Sequence, residues 1–168
     1  MKNRGYDHYL LGEFTLPSVS EVSEKWVLVI DDIEGMRSQL RMSLSSSGFA
    51  KLHIVSNIKE ALGRLAENKY DVILCDYALG DSTNVQQFLE YLRTNDLINR
   101  NTIFVMATAE QSYGKVVSAS ECAPDDYLLK PFTAAQLNTR LMKLLERQEY
   151  FSAIDQATDK KNWSGVIA

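Results

Sequence analysis

The sequence predicts an α/β fold in which helices cover both faces of a five-stranded parallel sheet, a doubly wound architecture. Two observations predict it. Short apolar runs alternate with segments in which apolar residues recur at helical spacing, five times between residues 26 and 147. The runs are continuous rather than alternating with polar residues, which is typical of parallel strands buried on both faces. Right-handed crossovers between such strands place helices on each side of the sheet.

The predicted strands differ in length and polarity, and this difference predicts their place in the sheet. The runs are residues 26–30, 52–55, 72–75, 103–107 and 127–129. The first, third and fourth are uninterrupted, so we expect them at the centre. His53 interrupts the second and the fifth is short, so we expect these two at the edges. The natural order for five such units is 2-1-3-4-5, the flavodoxin-like order.

Apolar stripes at helical spacing predict four helices, and three of them carry a start signal. A polar residue at the N-cap, followed three residues later by an acid or amide, satisfies N–H groups that a helix start leaves unpaired. The stripes are Met36, Leu40 and Leu44; Ile58, Ala61, Leu62, Leu65 and Ala66; Val85, Phe88, Leu89 and Leu92; and Leu137, Leu141, Leu144 and Leu145. The start signals are Asn57 with Glu60, Thr83 with Gln86, and Thr133 with Gln136.

Polar residues follow four of the five predicted strands. Ligands of open α/β sheets bind outside the carboxyl ends of the strands, so we expect these residues to share one crevice. They are Asp31 and Asp32 after the first strand, Asp76 after the third, Thr108 after the fourth and Lys130 after the fifth. The sequence therefore predicts three carboxylates, a hydroxyl and an ammonium around one site.

This set of side chains indicates a phosphoryl-aspartate site. Three neighbouring carboxylates repel one another unless a cation intervenes. Oxygen ligands without a His or Cys cluster favour Mg²⁺ over zinc. Lys130 and Thr108 are suited to phosphoryl oxygens, and an aspartate can act as the nucleophile toward phosphorus.

Length, charge and cysteine content exclude several classes of protein. The 168 residues predict one domain with short appendages. A net charge of -4, from 18 basic and 22 acidic residues, lacks the basic footprint of a nucleic-acid-binding protein. Neither a membrane-spanning apolar stretch nor a signal peptide is recognisable. Cys75 and Cys122 form no paired framework, which favours a reducing compartment. We therefore expect a cytoplasmic protein that contacts neither nucleic acid nor membrane directly.

Four segments in this order resemble the receiver domain of bacterial two-component response regulators: VLVIDDIEGMR, VILCDYALG, FVMATAE and DDYLLKPF. The resemblance covers residues 26–147. It implies the flavodoxin-like (βα)5 fold and a phosphorelay role, in which a sensor histidine kinase or histidine phosphotransfer protein donates a phosphoryl group. It implies a signalling domain rather than a metabolic enzyme, one that catalyses only its own phosphorylation and dephosphorylation. Whether activation produces a homodimer stays open, as do the cognate kinase and the output.

The resemblance also implies a role for each acidic residue of the site. Asp76 corresponds to the phosphoacceptor. Asp32 and Asp76, with the backbone carbonyl of Ala78, correspond to direct Mg²⁺ ligands, and Asp31 assists through water. Ala78 cannot hydrogen-bond an attacking water, so we expect slower self-dephosphorylation than with Asn at this position.

The remaining implied roles concern the phosphoryl group and the signal. Lys130 contacts the phosphoryl group and Asp76, and a cis bond to Pro131 is expected. Thr108 turns toward the phosphate and Tyr127 moves inward with it. The signalling face is then formed by residues 111–120, a segment rich in weak helix formers, together with the Tyr127 strand and the helix after Thr133.

Two local departures from the family pattern stand out. Many members carry Met-Pro and a later Asp-Gly after the phosphoacceptor, whereas this chain reads LGDSTN at residues 79–84, so we expect a reshaped loop. Ala123-Pro124 replaces the usual turn of small residues before the last strand. Neither change affects a residue with an implied chemical role.

The two ends of the chain lie outside the resemblance. We expect residues 1–25 to form a mobile arm, with packing on the domain or on a second copy as the alternative. Residues 148–168 predict a helical extension that breaks at Thr158–Asn162 and restarts at Trp163. This extension resembles the start of a tetratricopeptide-like output region, which suggests a chain cut from a longer protein.

Three alternative functions fit the sequence less well. A receiver-like adaptor that works without phosphorylation is disfavoured because all the site residues are present. A haloacid-dehalogenase-like phosphatase carries a second Asp two residues after its nucleophile, whereas Ile33 and Glu34 follow Asp32 here. A flavin module needs a polar, uncharged first loop, and this loop is acidic.

Overall fold

The computed structural model describes residues 19–80, 84–109 and 122–162. Five parallel strands form one sheet in the predicted order β2-β1-β3-β4-β5, so the central and edge positions inferred from strand polarity are confirmed. The strands are β1 (Trp26–Ile30), β2 (Lys51–Val55), β3 (Val72–Asp76), β4 (Ile103–Thr108) and β5 (Asp126–Leu129). In β1, β3 and β4 nearly every residue is buried, as continuous apolar runs predict.

Five helices are described around this sheet. They are α1 (Val19–Glu24), α2 (Glu34–Ser46), α3 (Ile58–Glu67), α4 (Val85–Thr94) and α5 (Ala134–Asn162). Successive strand residues point to opposite faces, so each central strand contributes to two cores. Val27 and Val29 pack with α2 and α5 in one core, whereas Leu28 and Ile30 pack with α3 and α4 in the other. The doubly wound arrangement is therefore confirmed.

Two of the three predicted helix starts are confirmed, and the third is wrong by one residue. The Asn57 side chain accepts the N–H of Glu60, and Thr133 Oγ1 accepts the N–H of Gln136. The N-cap of α4 is Asn84 rather than Thr83: Asn84 Oδ1 accepts two backbone N–H groups at the start of this helix. Asn is a stronger N-cap than Thr, and its side chain reaches the second and third helical residues directly.

The expectation of a mobile arm over residues 1–25 is wrong for its last part. Residues 19–24 form α1, and Val22 is only 2% exposed within the α2–α5 core. Burial of this side chain removes apolar surface from water, which favours an ordered helix over a mobile one. Lys25 adds an ion pair of 3.4 Å to Glu149 on α5. Residues 1–18 lie outside the described part of the chain.

The predicted break at Thr158–Asn162 is also wrong, because α5 continues through these residues. The segment contains neither Pro nor Gly, so its polar residues end the apolar periodicity without ending the helix. The predicted restart at Trp163 lies outside the described residues. The division into residues 1–25, 26–147 and 148–168 stays a prediction, and α5 crosses its second boundary. No helix in the described ranges is long and apolar enough to cross a membrane.

Candidate functional site

The residues predicted to share a crevice meet at the carboxyl edge of the sheet. Asp31 directly follows β1, Asp76 is the last residue of β3, Thr108 ends β4 and Lys130 follows β5. Asp31, Asp76 and Thr108 are each at most 5% exposed. The backbone N–H of Lys130 donates to the Thr108 carbonyl at 2.7 Å, which extends the pairing of β4 and β5 to the edge of the site.

Lys130 forms ion pairs with two of the three carboxylates. Its Nζ lies 2.8 Å from Asp76 Oδ2 and 3.3 Å from Asp31 Oδ2. The lysine side chain is itself only 16% exposed, so these pairs are partly shielded from water. The Lys130-Pro131 peptide bond is cis, as the family resemblance implies. One ammonium is therefore shared by two buried carboxylates.

Each of the three carboxylates also accepts one backbone N–H. A carboxylate that accepts such bonds is held in a fixed orientation. The donors are Ile33 to Asp31 Oδ1 at 2.9 Å, Ala78 to Asp76 Oδ1 at 3.3 Å, and Gly80 to Asp32 Oδ2 at 3.0 Å. The loops after β1 and β3 thus bind the acidic side chains through the main chain.

The negative charge of the three carboxylates is only partly compensated, which favours the binding of a cation. Burial raises the pKa of Asp31, and the neighbouring Asp76 charge adds to this, although the Ile33 N–H and the Lys130 ammonium act in the opposite direction. One ammonium does not neutralise three carboxylates. One oxygen from each of Asp31, Asp32 and Asp76 lies within 4.8 Å of the others. An all-oxygen set of this kind fits Mg²⁺ rather than a softer metal.

Two contacts at this edge were not predicted from the sequence. Arg37 on α2 donates from Nη1 to the Asp31 carbonyl oxygen at 2.8 Å. Gly80 donates to Asp32. Both bonds use a main-chain atom, so no pair of side-chain types signals them. For the Gly80 contact, the departure from the family pattern at residues 79–84 indicated only that this loop is reshaped.

Tyr127 and Cys75 lie on strands that lead to the site, β5 and β3. Tyr127 is half-buried on β5, its hydroxyl has no hydrogen-bond partner among the described residues, and burial raises its pKa. Cys75 points to the opposite face of β3 from Asp76, and burial raises the pKa of its thiol. Residues 111–120, predicted to belong to the signalling face, lie outside the described residues.

The fold and this edge together define an α/β domain with an acidic crevice at the carboxyl ends of its strands. Comparison with protein families identifies the domain. Residues 27–142 match the family described as the response regulator receiver domain. The chain belongs to this family and shares its role as the receiver of a two-component phosphorelay. The adaptor and phosphatase alternatives are not favoured.

Curated relatives agree with this assignment. The transcriptional regulatory protein SrrA of Staphylococcus aureus is 31% identical over 123 residues, which are 73% of this chain and 48% of SrrA. The chain spans about half the length of the curated relatives it matches.

Solved structures agree on the fold. The chemotaxis response regulator CheY4 of Vibrio cholerae has a TM-score of 0.64 at 23% identity, covering 71% of this chain and 98% of that one. The receiver domain of the Francisella response regulator 1452 has a TM-score of 0.63 at 27% identity, covering 74% and 98%. The receiver domain of a putative Luxo repressor protein from Vibrio parahaemolyticus has a TM-score of 0.66 at 22% identity, covering 77% and 96%.

Proposed function

We propose that Asp76 accepts a phosphoryl group from a phosphohistidine on a sensor histidine kinase or a histidine phosphotransfer protein in the cytoplasm. One observation carries this proposal: Asp76 ends the central strand β3, is 5% exposed, and lies 2.8 Å from the only lysine among the described residues that pairs with two carboxylates. The Lys130 ammonium and the Ala78 N–H fix the orientation of the buried Asp76 carboxylate, so its oxygens present their lone pairs to phosphorus in a defined direction.

The transfer step balances without another reactant. An oxygen of the Asp76 carboxylate attacks phosphorus, a P–O bond forms and the P–N bond to the donor imidazole breaks. The imidazole nitrogen keeps the electron pair of that bond, and a proton already carried by the other ring nitrogen lets the donor leave as a neutral imidazole. The Lys130 ammonium, already 2.8 Å from Asp76, offsets negative charge on the transferred group. Thr108, at the end of the neighbouring strand, offers a hydroxyl to a phosphoryl oxygen.

Mg²⁺ fits the acidic edge of this site. Asp31, Asp32, Asp76 and the backbone carbonyl of Ala78 would hold it. When bound, the ion neutralises the carboxylates and the incoming phosphoryl oxygens. Receiver domains generally bind Mg²⁺ at their acidic site, and the cluster of carboxylate oxygens supports the same role in this chain.

Phosphorylation adds about -1.5 to -2 charges to the crevice, and we propose that Thr108 and Tyr127 transmit this change. Tyr127 is suited to move with Thr108 because its buried hydroxyl has no hydrogen-bond partner among the described residues. A second position of the side chain in which the hydroxyl forms a hydrogen bond would therefore be favourable. The signalling face combines residues 111–120 with β5 and α5. Arg140 on α5 pairs with Asp126 on β5 at 2.8 Å, which joins two of these elements. A hydrogen-exchange map that is unchanged by a phosphoryl mimic would contradict this face.

Replacement of Asp76 by Asn tests the acceptor. The variant keeps the shape of the side chain but is a poor nucleophile, so incubation with acetyl phosphate and Mg²⁺ should leave it unmodified. Asp96→Asn is the matched control: Asp96 is exposed, lies away from the site and has a φ of 52°, a conformation that Asn also adopts. The control should incorporate phosphate like the wild type. Equal incorporation by both variants would refute the role of Asp76.

A further inference from the structure

Asp32 is bound differently from the other two carboxylates. Lys130 pairs with Asp31 and Asp76, and no ion pair to Asp32 exists within the described ranges. Asp32 is also exposed, whereas Asp31 and Asp76 are buried. Packing and the lysine therefore do not explain how the Asp32 carboxylate is held beside the others.

The backbone N–H of Gly80 supplies the missing contact. It donates to Asp32 Oδ2 at 3.0 Å, across 48 positions of sequence, and joins the loop after β3 to the loop after β1. A carboxylate has two oxygens with two lone pairs each, so this bond leaves acceptor capacity for a cation. In the described part of the chain it is the one hydrogen bond to this side chain.

Residue 80 must be small for Asp32 to keep this position. A Cβ built on Gly80 would lie 2.8 Å from Asp32 Oδ2, closer than such contacts occur in proteins. The backbone of Gly80 does not have a positive φ, so its conformation alone does not require glycine. The need for glycine arises from the approach of the carboxylate.

We propose that Gly80 is a positioning residue for the magnesium site: its N–H orients the Asp32 carboxylate, and its lack of a side chain lets that carboxylate lie within ligand distance of Asp31 and Asp76. This inference rests on the proposed function, because it assigns Mg²⁺ to the acidic edge. It makes residue 80 a determinant of magnesium affinity although the residue offers no ligand atom of its own to the cluster. A partner that orients a ligating carboxylate typically changes metal affinity by about 10-fold to 100-fold when it is removed.

Gly80→Ala tests the proposal, with Gly35→Ala as the matched control. Gly35 lies in the first turn of α2, three residues after Asp32, and a Cβ there would meet nothing within 4 Å. Both variants add one methyl group near the same loop. The dissociation constant for Mg²⁺ is measured by NMR titration of the full chain, and thermal unfolding in EDTA reports on the metal-free fold.

We expect Gly80→Ala to raise the Mg²⁺ dissociation constant by about 10-fold or more, whereas Gly35→Ala should leave this constant unchanged. In EDTA, Gly80→Ala should unfold at the same temperature as the wild type. A Gly80→Ala constant within about 2-fold of the wild type would overturn the inference and leave the proposed function intact. A wild-type chain that binds no Mg²⁺ would overturn the inference together with the metal part of the proposed function.

A second measurement decides the matter if Gly80→Ala does not fold. In the metal-free wild type, the Gly80 amide proton should move upfield when its acceptor is removed by Asp32→Ala, as expected for a lost hydrogen bond to a carboxylate. The Gly35 amide serves as the reference. A Gly80 amide that does not respond would overturn the inference.

Discussion

Lys130 and Asp76 form a 2.8 Å ion pair that spans the end of β4, because the two residues follow and end strands that are not neighbours in the sheet. The same ammonium lies 3.3 Å from Asp31. The pair joins the carboxyl ends of β3 and β5 and places a positive charge beside the candidate nucleophile, Asp76. Breaking it affects both the stability of the fold and the chemistry of the site.

Lys130→Gln should therefore destabilise the metal-free protein. The substitution leaves two carboxylates that are at most 5% exposed without their counterion, and breaking a buried pair in this way costs about 3–5 kcal/mol. The loss should be larger near neutral pH than in mild acid, because burial raises the pKa of Asp31 and protonation of this carboxyl removes part of the uncompensated charge. Urea unfolding in EDTA measures it.

Lys51→Gln is the control for this prediction. Lys51 pairs with Glu24 at the surface, where such pairs contribute about 0–1 kcal/mol. If Lys130→Gln costs no more than Lys51→Gln, the buried pair does not have the role assigned to it.

Ala78→Asn should shorten the lifetime of the phosphorylated form. Ala78 is exposed beside Asp76, and its N–H donates to Asp76 Oδ1. An Asn side chain there offers a hydrogen bond to an attacking water, and one bond of about 1 kcal/mol corresponds to about a fivefold faster rate. Phosphate release after removal of the donor measures the rate, with Ala78→Val as a control of similar bulk. An unchanged or slower decay in Ala78→Asn would contradict this prediction.

His53 should make stability depend on pH away from the acidic site. Burial lowers the pKa of His53 from its usual 6.5, with Arg64 acting in the same direction and Glu67 against it. Its Nδ1 lies 2.6 Å from the Tyr70 hydroxyl, and its ring packs 4.8 Å from Trp26. Because the unfolded chain then binds more protons at this residue, the free energy of unfolding decreases as pH falls through and below 6.5.

The measurement compares urea unfolding at about pH 7.5 and about pH 5.5 in EDTA. The decrease should be smaller in His53→Gln and unchanged in His8→Gln, which removes the only other histidine. Equal decreases in the wild type and His53→Gln would show that another group causes the dependence.

Much of the fold could be predicted because burial leaves a pattern in the sequence. Uninterrupted apolar runs predicted the three central strands, and His53 marked an edge. The errors lie where no periodic pattern exists. Val22 packs into the core from a helix of six residues, too short to show periodicity, and α5 continues through polar residues that carry no apolar stripe.

The site was predicted as a set of side chains but not as a set of contacts. Asp31, Asp76, Thr108 and Lys130 were recognisable because each follows or ends a strand. The departure of residues 79–84 from the family pattern indicated a reshaped loop but not the Gly80 bond to Asp32, because any residue except proline carries the same N–H donor. The need for a small residue at this position becomes visible only when the two loops are placed side by side.

The central claim is that Asp76 carries the phosphoryl group, and chemical mapping in the wild type tests it most directly. The protein is incubated with acetyl phosphate and Mg²⁺, reduced with borohydride and digested, because borohydride converts an aspartyl phosphate to homoserine. Peptide mass spectrometry then locates the converted residue. We predict homoserine at position 76 and at no other aspartate; conversion at Asp31 or Asp32 instead, or at no position, would contradict the claim.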